Sequence, residues 1–266
     1  MRAFFDGRGF IEVETPARIA APAPECHIDC PPVASGGFLR ASPELQMKKL
    51  LALGMERIYQ IGPCFRDGES GDRHSPEFTM IEWYRRGATW LDIMEDARAL
   101  VAELAKGRRA EPEFRRVAVR DAYMEFAGWD PWAGWDQDRF DFDMATKVEP
   151  ALAREGGCVF LSGYPVQCAS LAKVCGGVAE RWELYWDGVE LANCFTELCD
   201  GAEQRRRFEA ARDERRALGE SDYPIDGEFI DMVPMMEGAA GVALGVDRLV
   251  MALTGAKSIS DVRVPG

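Results

Sequence analysis

Histidine is almost missing from this chain, with two in 266 residues, and its eight cysteines contain no CxxC pair. Structural zinc sites are built from closely spaced Cys and His, so composition argues against one and leaves scattered buried thiols as the expectation. No apolar run approaches the roughly 20 residues that a membrane-spanning helix needs. Positive charge is also short, 32 Lys and Arg against 45 Asp and Glu, for a formal net charge of −13. Binding along a phosphate backbone relies on clustered bases. The local basic runs, Arg205-Arg206-Arg207 and Arg215-Arg216, read as exposed helix faces, so tRNA is not an expected partner. GxxxxGK[ST] does not occur, which excludes a P-loop. The first residues, Met1-Arg2-Ala3-Phe4-Phe5-Asp6-Gly7-Arg8, lack the apolar core of a signal peptide, and a cytoplasmic location is expected.

What the chain does have is a 47% apolar composition, enough for a substantial core. Ser42-Pro43-Glu44 supplies a cap and a first-position proline, and Gly54 a stop, so residues 43–53 form a short helix. Residues 57–66 and 77–86 read as two strands around a polar loop. After Thr89, the spacing of Leu91, Met94, Ala97, Val101 and Leu104 predicts an amphipathic helix over about 90–106. Asp200 with Glu203 forms a capping box for a charged helix ending near Gly219. Residues 107–155, rich in Trp and Asp, read as a mixed, helical insertion. Hairpins dominate over βαβ units, which predicts an α+β domain around an antiparallel sheet flanked by helices.

Three segments carry chemistry. Asp187-Gly188 favours a tight hairpin that sets Tyr185 opposite Glu190 and Glu183 opposite Ala192. Glu183 and Glu190 then share a face as diagonal neighbours, their Cβ atoms about 7 Å apart. Two acids at that separation suit an oxygen-seeking cation such as Mg²⁺ shared with phosphates, or else a solvated strand face. In the second hairpin, Phe78, Met80, Glu82 and Tyr84 share one face of the return strand, and Gln60, Gly62, Cys64 and Arg66 one face of the outgoing strand. Arg66 stands at the entrance of a loop holding Glu69, Arg73 and His74, an arrangement suited to phosphate and purine recognition or to an exposed hairpin tip. In the third, Gly241-Val242-Ala243-Leu244-Gly245 is a small-residue strand running into a helix that starts near Asp247 and delivers Arg248.

In this order the segments resemble the catalytic domain of class II aminoacyl-tRNA synthetases, lysyl branch. Gly9-Phe10-Ile11-Glu12-Val13-Glu14-Thr15-Pro16 is similar to motif 1, Phe65-Arg66 through Tyr84 to motif 2, and Gly245-Val246-Asp247-Arg248 to motif 3. The resemblance covers nearly the whole chain and implies ATP and Mg²⁺ as cofactors. By it, Arg66 grips the α-phosphate and the substrate carboxylate, and Phe78 stacks under adenine with Arg248 above. His74 lies near the terminal phosphates, and Glu183 and Glu190 hold magnesium. Glu44 takes the substrate amino group, while Glu82, Tyr84 and Glu197 receive the distal ammonium of lysine and Asn193 and Phe195 line that pocket. Two departures stand out. Gly68 occupies the place of a glutamate, with Glu69 displaced by one, and Cys194 replaces a glycine usual in the pocket motif.

Motif 1 begins within ten residues of Met1, so no anticodon-binding domain is expected ahead of it, and residues 1–266 read as a single catalytic domain. A free-standing core of this kind resembles the relatives that join lysine to elongation factor P. Ala192 and Ala243, each at a position where true synthetases usually carry glycine, agree with that group and with (R)-β-lysine as substrate. A truncated synthetase acting on α-lysine and a catalytically silent lysine-binding paralogue are the alternatives. Motif 1 also implies a homodimer, sealed by the apolar start Phe4, Phe5, Phe10, Ile11 and Val13.

Overall fold

In the computed structural model, residues 1–26, 28–110, 112–236 and 238–264 are described. Eight strands make up the main path of the sheet: β1 (Ile11–Glu12), β2 (Arg57–Phe65), β3 (Glu77–Arg86), β4 (Phe114–Ala118), β5 (Cys158–Pro165), β6 (Val178–Trp186), β7 (Val189–Thr196) and β8 (Ala239–Gly245). Their order is β1-β2-β3-β8-β7-β6-β5-β4, and the short strand Val174–Cys175 adds to β6. Only the two edge pairs, β1 with β2 and β4 with β5, are parallel; every pair between them is antiparallel. The expected α+β architecture around a mostly antiparallel sheet is therefore the observed one. Four helices matter here: α1 (Glu44–Ala52), α2 (Trp90–Ala105), α3 (Gly201–Leu218) and α4 (Val246–Thr254).

Side-chain parity divides the sheet into two faces. Tyr59, Ile81, Trp83, Trp182, Leu184, Val242 and Leu244 point to one side, where Met94, Ala97 and Val101 of α2 complete a dry core. The opposite face carries Gln60, Gly62 and Cys64 against Glu82, Met80 and Phe78, through an unbroken register from Arg57↔Arg85 to Phe65↔Glu77. The helix ends follow sequence logic. Ser42 Oγ accepts from the Glu44 amide at 2.9 Å, Asp200 accepts from the Glu203 amide at 3.0 Å, and Gly219 closes α3 with φ of 77°. Leu91 departs from the expected apolar stripe of α2: it is 42% exposed, and Ile93 and Leu100 are buried instead.

The β6–β7 hairpin departs from its expected register. Val189↔Trp186 and Glu190↔Tyr185 pair as predicted, but Ala192 pairs with Leu184 and Asn193 with Glu183. Leu191 is the extra residue of a β-bulge, so every residue beyond it changes face. The segment 107–155 is mixed: it supplies edge strand β4 before turning into short helical pieces around the stacked pair Tyr123 and Phe140. The expected dimer seal is largely internal. Phe5 stacks on Tyr59 with ring centroids 4.8 Å apart, and Phe4 and Phe10 are buried in the same core, leaving Ile11, 57% exposed, as the apolar residue of β1 that faces out.

Gly241 fixes how close β8 comes to β3. A Cβ at that position would lie 2.0 Å from the ring of Tyr84, which is itself 97% buried and cannot swing away. Gly241→Ala is expected to cost about 1–3 kcal/mol, the range for overpacked cores, and thermal unfolding measured by circular dichroism checks it.

Candidate functional site

The bulge and the two hairpins gather polar side chains on the face of the sheet away from α2, around one cavity of about 340 Å³. Of the residues singled out from sequence, Arg66, Glu69, His74, Phe78, Arg248, Glu44, Glu82, Tyr84, Asn193, Phe195, Ala243 and Glu190 all line it. Glu183 and Glu197 do not; they lie just behind the wall. Because β3 advances about 3.3 Å per residue, Phe78 and Tyr84 stand roughly 20 Å apart along the strand. The cavity therefore has two chemically distinct ends.

The loop end carries cations. Arg66 lies over the Phe78 ring, 5.1 Å from guanidinium carbon to centroid, and its Nη1 is 3.4 Å from Glu69. Among the described residues its buried Nε has no partner, a donor held ready for an anion. Gly68, at φ 76°, permits the turn that brings Glu69 back to the cavity. Arg248 enters from the first turn of α4 and donates to the Arg73 carbonyl at 3.2 Å and the Glu190 carbonyl at 3.1 Å. Its Nη2 lies 2.6 Å from His74 Nε2. A guanidinium only donates, so that nitrogen accepts and the imidazole proton sits on Nδ1. Burial, with Arg248 alongside, holds His74 below its ordinary value and keeps it neutral. Asp247 anchors the helix start by accepting from the Thr79 amide at 2.7 Å.

The inner end carries acids. Glu82 is fully buried and accepts from Ser42 Oγ at 2.5 Å and Tyr84 Oη at 2.8 Å. Burial and the nearby Glu44 push it up to about 7. Lys48, one turn after Glu44 on α1, was not anticipated as a site residue, although the i,i+4 spacing of opposite charges was visible. Its ammonium bridges Glu44 at 2.6 Å and Glu197 at 2.5 Å and sits 4.7 Å over the Phe195 ring. Burial alone would lower Lys48, but Glu197 and Glu44 outweigh it and hold the ammonium above its ordinary value. Glu197 is nonetheless pushed up to about 8, because burial exceeds what one ammonium shared with Glu44 returns. Among the described residues its second, buried oxygen has no partner.

The carboxylate pair on β6 and β7 shares a face, as the hairpin reading required, but each has a cationic side chain beside it. Glu183 accepts from Arg181 at 2.6 Å, Tyr164 at 2.6 Å and Tyr185 at 2.7 Å. Arg181 also donates to Asn193 Oδ1 at 3.0 Å, so it orients a pocket residue. The Arg181–Glu183 i,i+2 spacing on one strand was legible in sequence; the tyrosine donors were not. Glu190 is less engaged, with Arg248 Nη1 at 3.5 Å, and partial burial together with Glu183 raises it above the ordinary carboxylate range. Two sequence expectations change place. Cys194 packs on the core face, paired with Trp182 and Val242, and Ala192 packs between Leu184 and Leu244. Of the two alanines expected to shape the pocket, Ala243 is the one whose side chain faces it.

A family model described as tRNA synthetases class II (D, K and N) matches residues 1–264. The chain belongs to this class II synthetase family. Among curated relatives, the elongation factor P–(R)-β-lysine ligase of Proteus mirabilis is 37% identical over 98% of this chain and 90% of that protein. The proteins of that name from Yersinia enterocolitica and Photorhabdus laumondii are 36% and 37% identical, over the same shares. Among the described residues no helix is long and apolar enough to cross a membrane. In this class II site the Lys48 bridge is open to a stability test. Lys48→Met leaves Glu197 buried without its cation and is expected to cost about 3–5 kcal/mol at pH 9. Since Glu197 takes up its proton near pH 8, the loss should shrink at pH 6, where the neutral acid needs no counter-charge. Urea unfolding at the two pH values reads the difference.

Proposed function

We propose that this protein activates a lysine-type amino acid, (R)-β-lysine foremost, as its adenylate and transfers it to a lysine of elongation factor P. The observation that carries the reading is the charge division of the cavity, with arginines at one end and buried carboxylates at the other. A molecule with an anionic carboxylate and two ammonium groups, meeting ATP at the cationic end, fits that division; the names of the relatives agree with it. On this reading a substrate carboxylate oxygen attacks the α-phosphorus and the bond to pyrophosphate breaks. Arg66 and Arg248 neutralise the charge that builds on the phosphates, and Phe78 offers a stacking face to the purine. Glu82, with the Tyr84 hydroxyl, receives the distal ammonium, Glu197 adds its charge from behind the wall, and Glu44 takes the nearer amine. Ala243 narrows the pocket between them.

Magnesium belongs to the same proposal. Among the described residues no group of three or more potential ligands is preassembled, which suits an ion that draws much of its coordination from substrate phosphates. Glu190, the less engaged of the pair, would hold it, with Glu183 behind. When bound, the ion supplies charge neutralisation at the phosphates. Pyrophosphate exchange with ATP, Mg²⁺ and a panel of α- and β-lysine isomers tests the assignment. Exchange strongest with (R)-β-lysine, and abolished in Glu190→Ala, is expected; full exchange in that variant removes the metal role. Exchange with α-lysine followed by label on tRNA would favour a truncated synthetase.

Acting on elongation factor P places the reaction in the cytoplasm. We also propose a homodimer through the β1 edge. The buried phenylalanines do not argue for it, so the proposal rests on motif 1 and on exposed Ile11. Light scattering at micromolar concentration is expected to give about twice the 29.6 kDa chain mass, and a monomer there ends the dimer proposal.

A further inference from the structure

A second cavity, of about 710 Å³, adjoins the first. It is walled by residues 24–26, residues 166–171 and the face of α3 that carries Phe208, Ala211 and Glu214. Glu25, Ser170, Leu171 and Arg181 line both cavities, so the two meet across these four side chains. The two arginines at this wall are already occupied. Arg181 binds Glu183 and Asn193, and Arg207 binds Glu203 at 2.7 Å and the carbonyls of Ser170 and Ala172 at 2.7 and 2.8 Å. That grip holds Ser170 at φ 45°, a conformation seldom taken by a side-chain-bearing residue. Glu25 is different. Among the described residues no side chain hydrogen-bonds or pairs with its carboxylate, although it lies in the field of Glu44, Arg66, Arg181 and Lys48. Glu214 stands farther along the same wall, beside Cys26.

We propose that this second cavity is the entry channel for the acceptor, a lysyl side chain of the protein substrate, and that Glu25 is the base that takes the proton from its ammonium. The inference rests on the adenylate chemistry proposed above. An arriving ammonium meets an acidic side chain on the channel wall in Glu214 and an unpaired one at the junction in Glu25, while both neighbouring arginines are bound away from it. Burial, with Glu44 nearby, raises Glu25 above the ordinary carboxylate range and so makes it a better proton acceptor than an exposed glutamate. The step balances. The acceptor ammonium gives one proton to Glu25, and the neutral nitrogen attacks the adenylate carbonyl carbon. The new C–N bond forms as the C–O bond to AMP breaks; AMP leaves with that electron pair, and the second amine proton goes to its phosphate or to water.

Hydroxylamine separates the two half-reactions, because it is small, neutral and needs neither channel nor base. Wild type, Glu25→Gln and Ala211→Trp are compared for pyrophosphate exchange, hydroxamate formation and labelling of elongation factor P. In Glu25→Gln, labelling is expected to fall about 100-fold further than exchange or hydroxamate formation, in line with loss of a general base. Ala211→Trp, which fills the channel from α3 and leaves the base in place, is expected to raise the KM for elongation factor P at least about tenfold. Labelling that falls only in parallel with hydroxamate formation, or that is wild-type in both variants, overturns the channel and its base. Absence of exchange in the wild type with every lysine isomer is a separate result and overturns the activation reading itself.

Discussion

One extra residue in β7 decides what the site contains. Without the bulge at Leu191, Ala192 and Cys194 would face the cavity, while Asn193 and Phe195 would be driven into the apolar core. With it, Cys194 is fully buried next to Trp182 and Val242, and Asn193 is placed where Arg181 orients its amide. A strand has a period of two, so a one-residue slip exchanges its faces. The strand therefore presents Glu190 on one side of the bulge and Asn193 and Phe195 on the other to the same cavity. A regular hairpin cannot do that, because residues 190, 193 and 195 do not share parity.

The same sheet face must bury acids, and burial sets the terms. A carboxylate removed from water is held neutral or finds a cation. Glu44 and Glu197 share one fixed ammonium, that of Lys48, with Glu82 close by, and the shortfall shows in Glu82 and Glu197, pushed up to about 7 and about 8. The proposed substrate carries two ammonium groups, which is the number needed to match three acids already holding one lysine. Lys48 thus does more than stabilise α1. By satisfying part of the negative charge permanently, it sets how much positive charge a ligand must bring, which favours a diamino acid over one with a single amine.

The fold was largely legible because its signals are local. The 57–86 hairpin, the caps of α1 and α3 and the entry into α4 follow from alternation, turn residues and capping side chains that act within a few positions. The site was legible in part, since motif order located the arginines and most of the acids. What failed were consequences of packing between distant segments. The bulge exists because Asn193 and Phe195 fit the polar face and Cys194 the core, a choice made by β8 and β6 and invisible in β7 alone. Phe4, Phe5 and Phe10 are apolar whether they seal a dimer or a core; Tyr59 and Trp83, which receive Phe5, lie far along the chain. Tyr164, which binds Glu183 from β5, left no trace in the spacing of either residue.

The two departures from the family pattern bear on whether the site is silent. A paralogue that had lost its chemistry would be expected to fill or unbalance its catalytic cavity. Cys194 does neither, because it faces away from the cavity and replaces glycine at a core position where a small apolar thiol packs well. Gly68 removes a carboxylate, yet its left-handed turn lets Glu69 line the cavity and approach Arg66. Meanwhile Arg248 is held by two carbonyls and a neutral His74, and among the described residues Arg66 keeps a buried donor unpaired. Donors fixed in advance toward a place where negative charge develops are costly to maintain and useful chiefly in a transition state. A lysine sensor would need the acidic end of this cavity and one cation for the carboxylate, and would gain nothing from a second arginine held in place beside it.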